Sequence, residues 1–362
     1  MSSELLKTPL YDAHVALNAR MVDFAGWSMP VMYAGILDEV RAVRTGIGLF
    51  DISHMGRIRV IGEEATSLLQ AVTSNDVSSL AYTQAQYSLL TNPDGGIIDD
   101  IIVYRQAENA YMVVINASNT DKDISWIRSK AGAGVEIFDD SAATAMIAVQ
   151  GPEAPAITAQ LASNPELLNM DRFHYATGTI AGAEATFCRT GYTGEDGFEL
   201  IVPAESATAV WNALVAAGGV PCGLGSRDAL RIEAGYPLYG HEIDDTTSPV
   251  EALLMWAVSL EKGEFTGRDH IATLKANGAK RKLMGLVSSE RIQPRQGYTV
   301  FIGSEEVGII TSGVFSPTLG TSIAMAYIDS RYAKTGTAVE VSVRDKRIPA
   351  VLKQKKNLLQ NS

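Results

Sequence analysis

Cysteine is nearly missing from this chain of 362 residues: Cys188 and Cys222 are its only two, far apart and with no other cysteine beside either. That spacing excludes a disulfide framework and points to a reducing interior. Long apolar runs are missing too, since none approaches the ~20 residues that span a bilayer. The opening stretch, Met1-Ser2-Ser3-Glu4-Leu5-Leu6-Lys7-Thr8-Pro9, has neither a signal peptide's apolar core nor an arginine-rich transit pattern. A cytoplasmic location is therefore expected. The histidines (His14, His54, His174, His241 and His270) form no HxxxH or HxH pair, so no metal site is indicated. Internal repeats and low-complexity segments are also lacking. The glycine-rich stretch Thr190-Gly191-Tyr192-Thr193-Gly194-Glu195-Asp196-Gly197 lacks the GK[ST] ending and GxGxxG spacing of phosphate cradles, and its acidic pair repels phosphate.

What is present is a globular composition with charge unevenly spread. The chain carries 30 Lys+Arg against 41 Asp+Glu. From Gly267 onward there are 15 basic and 7 acidic residues, a net of +8, which leaves −19 for the remainder. A nucleic-acid partner is a poor fit, because most of the molecule repels phosphates. The basic third is either a solvated face with a lysine-rich tail or a rim that attracts an anionic ligand or acidic protein. The length predicts two or three domains.

Periodicity organises the first half into compact α+β units. Residues 56–62 alternate like a half-buried strand, and 63–72 read as an amphipathic helix. Strands over 86–91 and 97–105 flank the turn Pro93-Asp94-Gly95-Gly96, a strong hairpin signal. A strand over 111–117 and a helix capped by Ser118 or Asn119, with Trp126 and Ile127 inward, follow. A strand over 135–138 closes this unit. Next come a buried strand over 146–152, strands over 183–190 and 198–202, and helices over 204–217 and 229–234. From Lys282 onward, short strands over 283–287, 298–302, 307–312, 323–328 and 338–343 predict a small β-barrel or sandwich.

The segment Ile97-Ile98-Asp99-Asp100-Ile101-Ile102-Val103-Tyr104 is the most informative. A strand this apolar on both faces belongs in a core, yet it holds adjacent carboxylates. Burying an ionised carboxylate without a partner costs several kcal/mol or raises its pKa. Alternation puts Asp100 on one face with Ile98, Ile102 and Tyr104, and Asp99 on the other. An aromatic beside a carboxylate suits a planar ligand with a polar edge. Loop amides or a basic partner are an equally good explanation of both aspartates from this segment alone.

Taken together, Thr8-Pro9-Leu10, Phe24-Ala25-Gly26-Trp27, Ala42-Val43-Arg44-Thr45, Phe50-Asp51-Ile52-Ser53-His54-Met55, the Gly95–Asp100 turn and strand, Ala148-Val149-Gln150-Gly151-Pro152, Thr190–Gly197, Pro221–Glu233, Thr311-Ser312-Gly313 and Ser316-Pro317-Thr318-Leu319-Gly320 resemble one family over nearly the whole chain. It is the T protein of the glycine cleavage system, a tetrahydrofolate-dependent aminomethyltransferase. The resemblance implies an α+β fold of three domains in a cloverleaf around a central folate cavity. A discontinuous α+β domain (1–50 and 140–266) would hold an inserted α+β domain (51–139), followed by a small β-barrel (280–362). It implies a lipoylated H protein as partner, tetrahydrofolate as co-substrate, no metal, and no nucleic-acid or membrane partner.

Residue by residue, the resemblance implies Asp100 as the catalytic group and Glu199 and Arg227 as ligands of the pterin edge. Tyr192, Met55, Tyr87, Ile102, Tyr104, Val114, Asn116 and Trp256 match lining positions. Without it, Glu199 reads as a surface strand residue and Arg227 as a partner of Asp228 or Asp244. His54 reads as structural. One departure stands at the end, where Lys353 matches an expected lysine but the aromatic that normally follows is missing. Other readings are a folate-dependent demethylase with a different donor, and a non-catalytic folate-binding assembly protein on the same scaffold.

Overall fold

The computed structural model describes residues 4–359 except 289, 292 and 345. Residues 1–3 of the N-terminal stretch and 360–362 of the expected barrel lie outside the described residues. The fold is α+β. One sheet has six strands in the order Tyr175–Ile180, Ala183–Cys188, Gly197–Pro203, Thr144–Gln150, Gly48–Asp51, Val220–Pro221. Its pairings are antiparallel except at Val220–Pro221, which runs parallel to Gly48–Asp51. Every residue of Phe198-Glu199-Leu200-Ile201-Val202 is buried, and helices Ala154–Leu161 and Ala207–Ala216 cover the face that carries Phe198, Leu200 and Val202. Leu49, Ile147, Phe187, Phe198, Leu200 and Trp211 fill that core.

A second sheet of five strands runs Ala85–Thr91, Ile97–Ala107, Ala110–Ile115, Gly56–Ile61, Glu136–Asp139. The C-terminal sheet is a closed barrel in the order Arg281–Ser288, Thr321–Asp329, Glu305–Ser316, Thr299–Ile302, Ala338–Val343, Lys346–Lys353. Leu286, Val300, Ile310, Ala326, Val341 and Leu352 fill its interior. The last strand lies within the expected barrel segment 280–362 but is not among the strands that periodicity predicts there. Ile348, Ala350 and Leu352 point inward while Lys346, Arg347, Pro349 and Val351 are exposed, and closure removes the barrel's open edge. Lys353 accordingly ends a strand, paired with Gly285.

Residues 4–50 hold the hairpin Arg20–Phe24 and Trp27–Met32 and helices Tyr11–Ala16 and Ile36–Thr45. Helix Ala154–Leu161 carries Pro155 in its first turn, where a missing N–H leaves no bond unmade.

By compactness the chain divides into two units, one of Met1–Leu69, Val77–Tyr87 and Ile101–Arg227, the other of Gln70–Asp76, Ser88–Asp100 and Asp228–Ser362. In the first, Arg57 is 2% exposed, buried within a strand whose alternation reads as half-buried. It donates to the carbonyls of Ser53, Met55, Ser141 and Thr144 and to the Thr144 hydroxyl. This one guanidinium ties the turn before its strand to the loop before Thr144–Gln150. Nearby, Asp51 accepts from Thr8 at 2.6 Å and meets His14 Nε2 at 2.9 Å. Burial opposes the Asp51 charge, but the His14 and hydroxyl contacts outweigh it and hold the carboxyl below its ordinary range.

In the second unit, the turn Asn92-Pro93-Asp94-Gly95-Gly96 is clasped from both sides. Asn92 Oδ1 accepts from the amides of Asp94 and Gly96, and Asn92 Nδ2 donates to the Asp245 carbonyl at 2.8 Å. A Cβ on Gly96 would lie 1.8 Å from that same carbonyl oxygen, so only glycine fits. The Lys262 ammonium donates to the carbonyls of Gln70, Thr73 and Asn75 at 2.8, 2.5 and 2.8 Å. It thereby holds the segment Gln70–Asp76. Among the described residues, no helix is long and apolar enough to cross a membrane.

Candidate functional site

Glu199 lies in the middle of Gly197–Pro203 and is 7% exposed. It faces Cys188 on one neighbouring strand and Ala148 on the other. A carboxylate in that position needs donors. The Thr190 hydroxyl donates to Glu199 Oε2 at 2.5 Å, and the Arg227 guanidinium supplies a neighbouring positive charge. Burial nevertheless dominates and pushes the Glu199 carboxyl above its usual range, with Arg227 and Thr190 pulling it back.

Arg227 stands near the start of helix Leu224–Ala234. Its guanidinium carbon is 5.0 Å from the Tyr192 ring centroid, a cation–π distance. The neighbouring Asp228 is taken by Arg231 at 2.9 Å instead. Arg227 Nη1 is buried and has no hydrogen-bond partner among the described residues. It is a buried donor open to an acceptor that the described residues do not supply. Beside it, the Glu199 carboxylate, when ionised, can accept two parallel N–H bonds. A buried acceptor and a buried donor, flanked by an aromatic face, suit a planar ligand with a polar edge.

The acidic pair of the glycine-rich loop is used up structurally. Glu195 meets Arg44 at 2.7 Å, and Asp196 takes both arms of Arg189 at 2.6 and 3.2 Å. Inside that loop a Cβ on Gly191 would fall 2.0 Å from Gln150 Oε1. The loop is thus pinned against Gln150, whose Oε1 also accepts from Thr193 at 2.9 Å.

The lining candidates divide. Ile102 is half-buried and pairs with Val114 across the five-stranded sheet; Val114 is 3% exposed and pairs on its other side with Arg57. Met55, Tyr87, Asn116 and Tyr192 are half-buried. Tyr104 corrects the expectation of a ligand-facing aromatic. It is 0% exposed, so it has no surface to offer a ligand, and its hydroxyl lies 3.1 Å from Thr190 Oγ1. In the second unit, Asp99 is fully buried whereas Asp100 is half-buried in Ile97–Ala107, and Trp256 in the turn Met255–Ala257 is 64% exposed. His54 is buried, with burial and the Arg227 and Arg57 charges driving its pKa down to about 4 against the pull of Asp51. Thr190 escaped the sequence reading. Its place follows from strand pairing, since Thr190 lies two residues beyond Cys188, the cross-strand partner of Glu199.

Comparison with known proteins agrees with this architecture. Residues 10–262 match the GCVT N-terminal domain, and residues 281–357 match the glycine cleavage T-protein C-terminal barrel domain. An aminomethyltransferase of Symbiobacterium thermophilum is 47% identical over 97% of this chain and 96% of its own length. That of Bacillus subtilis is 43% identical over 96% of this chain and 97% of its own. The crystal structure of glycine cleavage system aminomethyltransferase T from Bartonella henselae superposes with a TM-score of 0.92 at 34% identity, covering 98% of this chain and 99% of that one. The chain belongs to the glycine cleavage T-protein family. Its activity is that of an aminomethyltransferase, and it is an enzyme. Among the described residues no group of three or more His, Cys, Asp or Glu could hold a metal ion.

Proposed function

We propose that this enzyme takes the methylene of an S-aminomethyl-dihydrolipoyl group on H protein and passes it to tetrahydrofolate. The carbon–sulfur and carbon–nitrogen bonds break, two bonds form to folate nitrogens, and the two protons released from those nitrogens leave on the lipoyl thiol and ammonia. A reduced folate supplies the nucleophilic nitrogen. Glu199 accepts from the pterin N3–H and 2-amino group, Arg227 donates to a ring acceptor, and Tyr192 packs beside the guanidinium. The observation that carries this reading is the buried, unsatisfied Arg227 Nη1 next to the buried Glu199 carboxylate.

Asp100 is the proton acceptor in this reading. The nucleophilic nitrogen must lose its proton as cationic character develops on the methylene, and a carboxylate acting as general base serves both needs. Asp100 is the more open of the two adjacent aspartates, which supports it over Asp99. Met55, Tyr87, Ile102, Val114, Asn116 and Trp256 are proposed as lining. The three-domain division 1–50 with 140–266, 51–139 and 280–362 is supported by which strands share a sheet. A cytoplasmic location fits the two unpaired, buried cysteines.

The test is ammonia release by the purified chain with aminomethylated, lipoylated H protein and tetrahydrofolate. We expect turnover in the wild type and a loss of about 10²–10⁴-fold in Asp100→Asn, with tetrahydrofolate affinity changed less than about threefold, well under the tenfold that 1.4 kcal/mol represents. Wild-type turnover in Asp100→Asn would remove Asp100 from the mechanism. No turnover with H protein, together with demethylation of a methylated sulfonium, would reassign the donor.

A further inference from the structure

Tyr104 and Thr190 form a hydrogen-bonded chain that ends on Glu199, and its polarity follows from elementary chemistry. An ionised carboxylate only accepts, so the single hydroxyl proton of Thr190 is committed to Glu199 Oε2 at 2.5 Å. Thr190 Oγ1 then has only lone pairs left to offer. The Tyr104 hydroxyl, 3.1 Å from Thr190 Oγ1, can therefore join Thr190 only as the donor, and it shares that proton with a second polar contact, Cys188. Each link is held from behind. The Tyr104 ring is wholly buried and meets Tyr175 edge-on at 6.1 Å, and Thr190 opens the loop that Gln150 pins.

We infer that Thr190, aligned by Tyr104, is a positioning residue that fixes the plane of the Glu199 carboxylate and so sets its selectivity for the amino-bearing edge of a pterin-like heterocycle. This rests on the folate reading of Glu199. A carboxylate in a strand can rotate about its terminal torsion, which is broad and soft. One strong donor on Oε2 removes that freedom while leaving each oxygen a lone pair for an incoming N–H. Bidentate recognition depends on that plane, because two parallel bonds form only when both oxygens lie in the plane of the ligand. Arg227 contributes charge from one side but leaves Nη1 unbonded, so it does not fix the torsion by itself. Tyr104 thereby gains a role that its burial permits, in place of ligand contact.

The experiment is calorimetric titration of the full chain with tetrahydrofolate and with its analogue lacking the 2-amino group, using wild type, Thr190→Val, Thr190→Ser and Tyr104→Phe. Circular dichroism and melting temperature are recorded for each. We expect Thr190→Val to weaken tetrahydrofolate about tenfold and the analogue by less than about threefold, in keeping with loss of one charge-assisted hydrogen bond. The selectivity ratio therefore collapses. Thr190→Ser restores the ratio to within about threefold, and Tyr104→Phe lowers it by a smaller factor of about three. Unchanged selectivity in Thr190→Val overturns the inference, as does an equal loss for both ligands that serine fails to restore. Should Thr190→Val not fold, Tyr104→Phe decides alone, an unchanged ratio counting against the inference. A wild-type chain that binds neither ligand overturns the folate reading itself, and this inference with it.

Discussion

At the scale of single residues, the site turns on the difference between a charge and a fork. Arg227 lies under Tyr192 at 5.0 Å and neighbours Glu199, while one of its buried nitrogens has no partner. Burial lowers its pKa against the pull of Glu199, but a guanidinium is charged at any accessible pH. Lysine in that place would keep the charge near Glu199 and lose both the flat contact with Tyr192 and the second donor. Arg227→Lys should therefore fold normally and bind tetrahydrofolate about 10–100-fold more weakly, as expected when a bidentate, stacked arginine is replaced. Arg227→Met should do the same and also leave Glu199 uncompensated, raising its pKa further. Titration calorimetry across pH separates the two, because only the methionine variant should regain affinity for a ligand offering an acceptor as Glu199 protonates. Equal affinity of Arg227→Lys and wild type would show that charge alone is sufficient.

At the scale of elements, the hairpin at Asn92–Gly96 was legible because its turn chemistry is local. Asparagine side-chain acceptance and two glycines are written into five consecutive residues. Five barrel strands were legible for a similar reason, being short apolar runs with glycine and proline between them. The sixth, Lys346–Lys353, was not, since its sequence Lys-Arg-Ile-Pro-Ala-Val-Leu-Lys places proline and charge on the outward face. Closure decides that strand, and closure is a property of six strands together. Arg57 was missed because alternation says which face a side chain takes but not what covers that face. Here four carbonyls cover it. The hairpin also carries a prediction at this scale. Gly96→Ala puts a methyl against the Asp245 carbonyl, so the turn must move away from it. A loss of about 1–3 kcal/mol is expected from forced overpacking, read as a lower midpoint in urea. Because Asp99 and Asp100 follow within four residues, turnover should fall more than the unfolded fraction explains. Full activity and unchanged stability would mean the clasp on this turn is loose.

At the scale of the whole molecule, acid stability reports how the fold assembles its charges. His54 stands beside Ser53 in sequence with nothing to suggest a special environment. The fold buries it and sets it near Arg227 and Arg57, residues 173 and 3 positions away in the chain. Its pKa is thereby driven from 6.5 to about 4. A group whose folded pKa lies below its unfolded value stabilises the fold fully above the unfolded value and loses that contribution as pH falls through the folded one. For His54 the window is pH 6.5 down to about 4, and the loss across it is on the order of 3 kcal/mol. Asp51, whose carboxyl is held below its ordinary range, adds its own loss only at more acidic pH, below about 3.8. Glu199, raised by burial, acts in the opposite sense, since its protonation as pH falls favours the fold. The two act in overlapping ranges, so the wild-type curve alone does not isolate the histidine. His54→Gln removes the titration while keeping a polar side chain of similar length. Denaturant unfolding at pH 7.5, 5.5 and 4.5 should then show a slope between pH 6.5 and 4.5 that is shallower in the variant than in the wild type. The difference should approach the full His54 contribution at the lowest pH. Parallel slopes would mean that His54 titrates at nearly the same pH in the folded and the unfolded chain, so that neither burial nor the neighbouring arginines shift it.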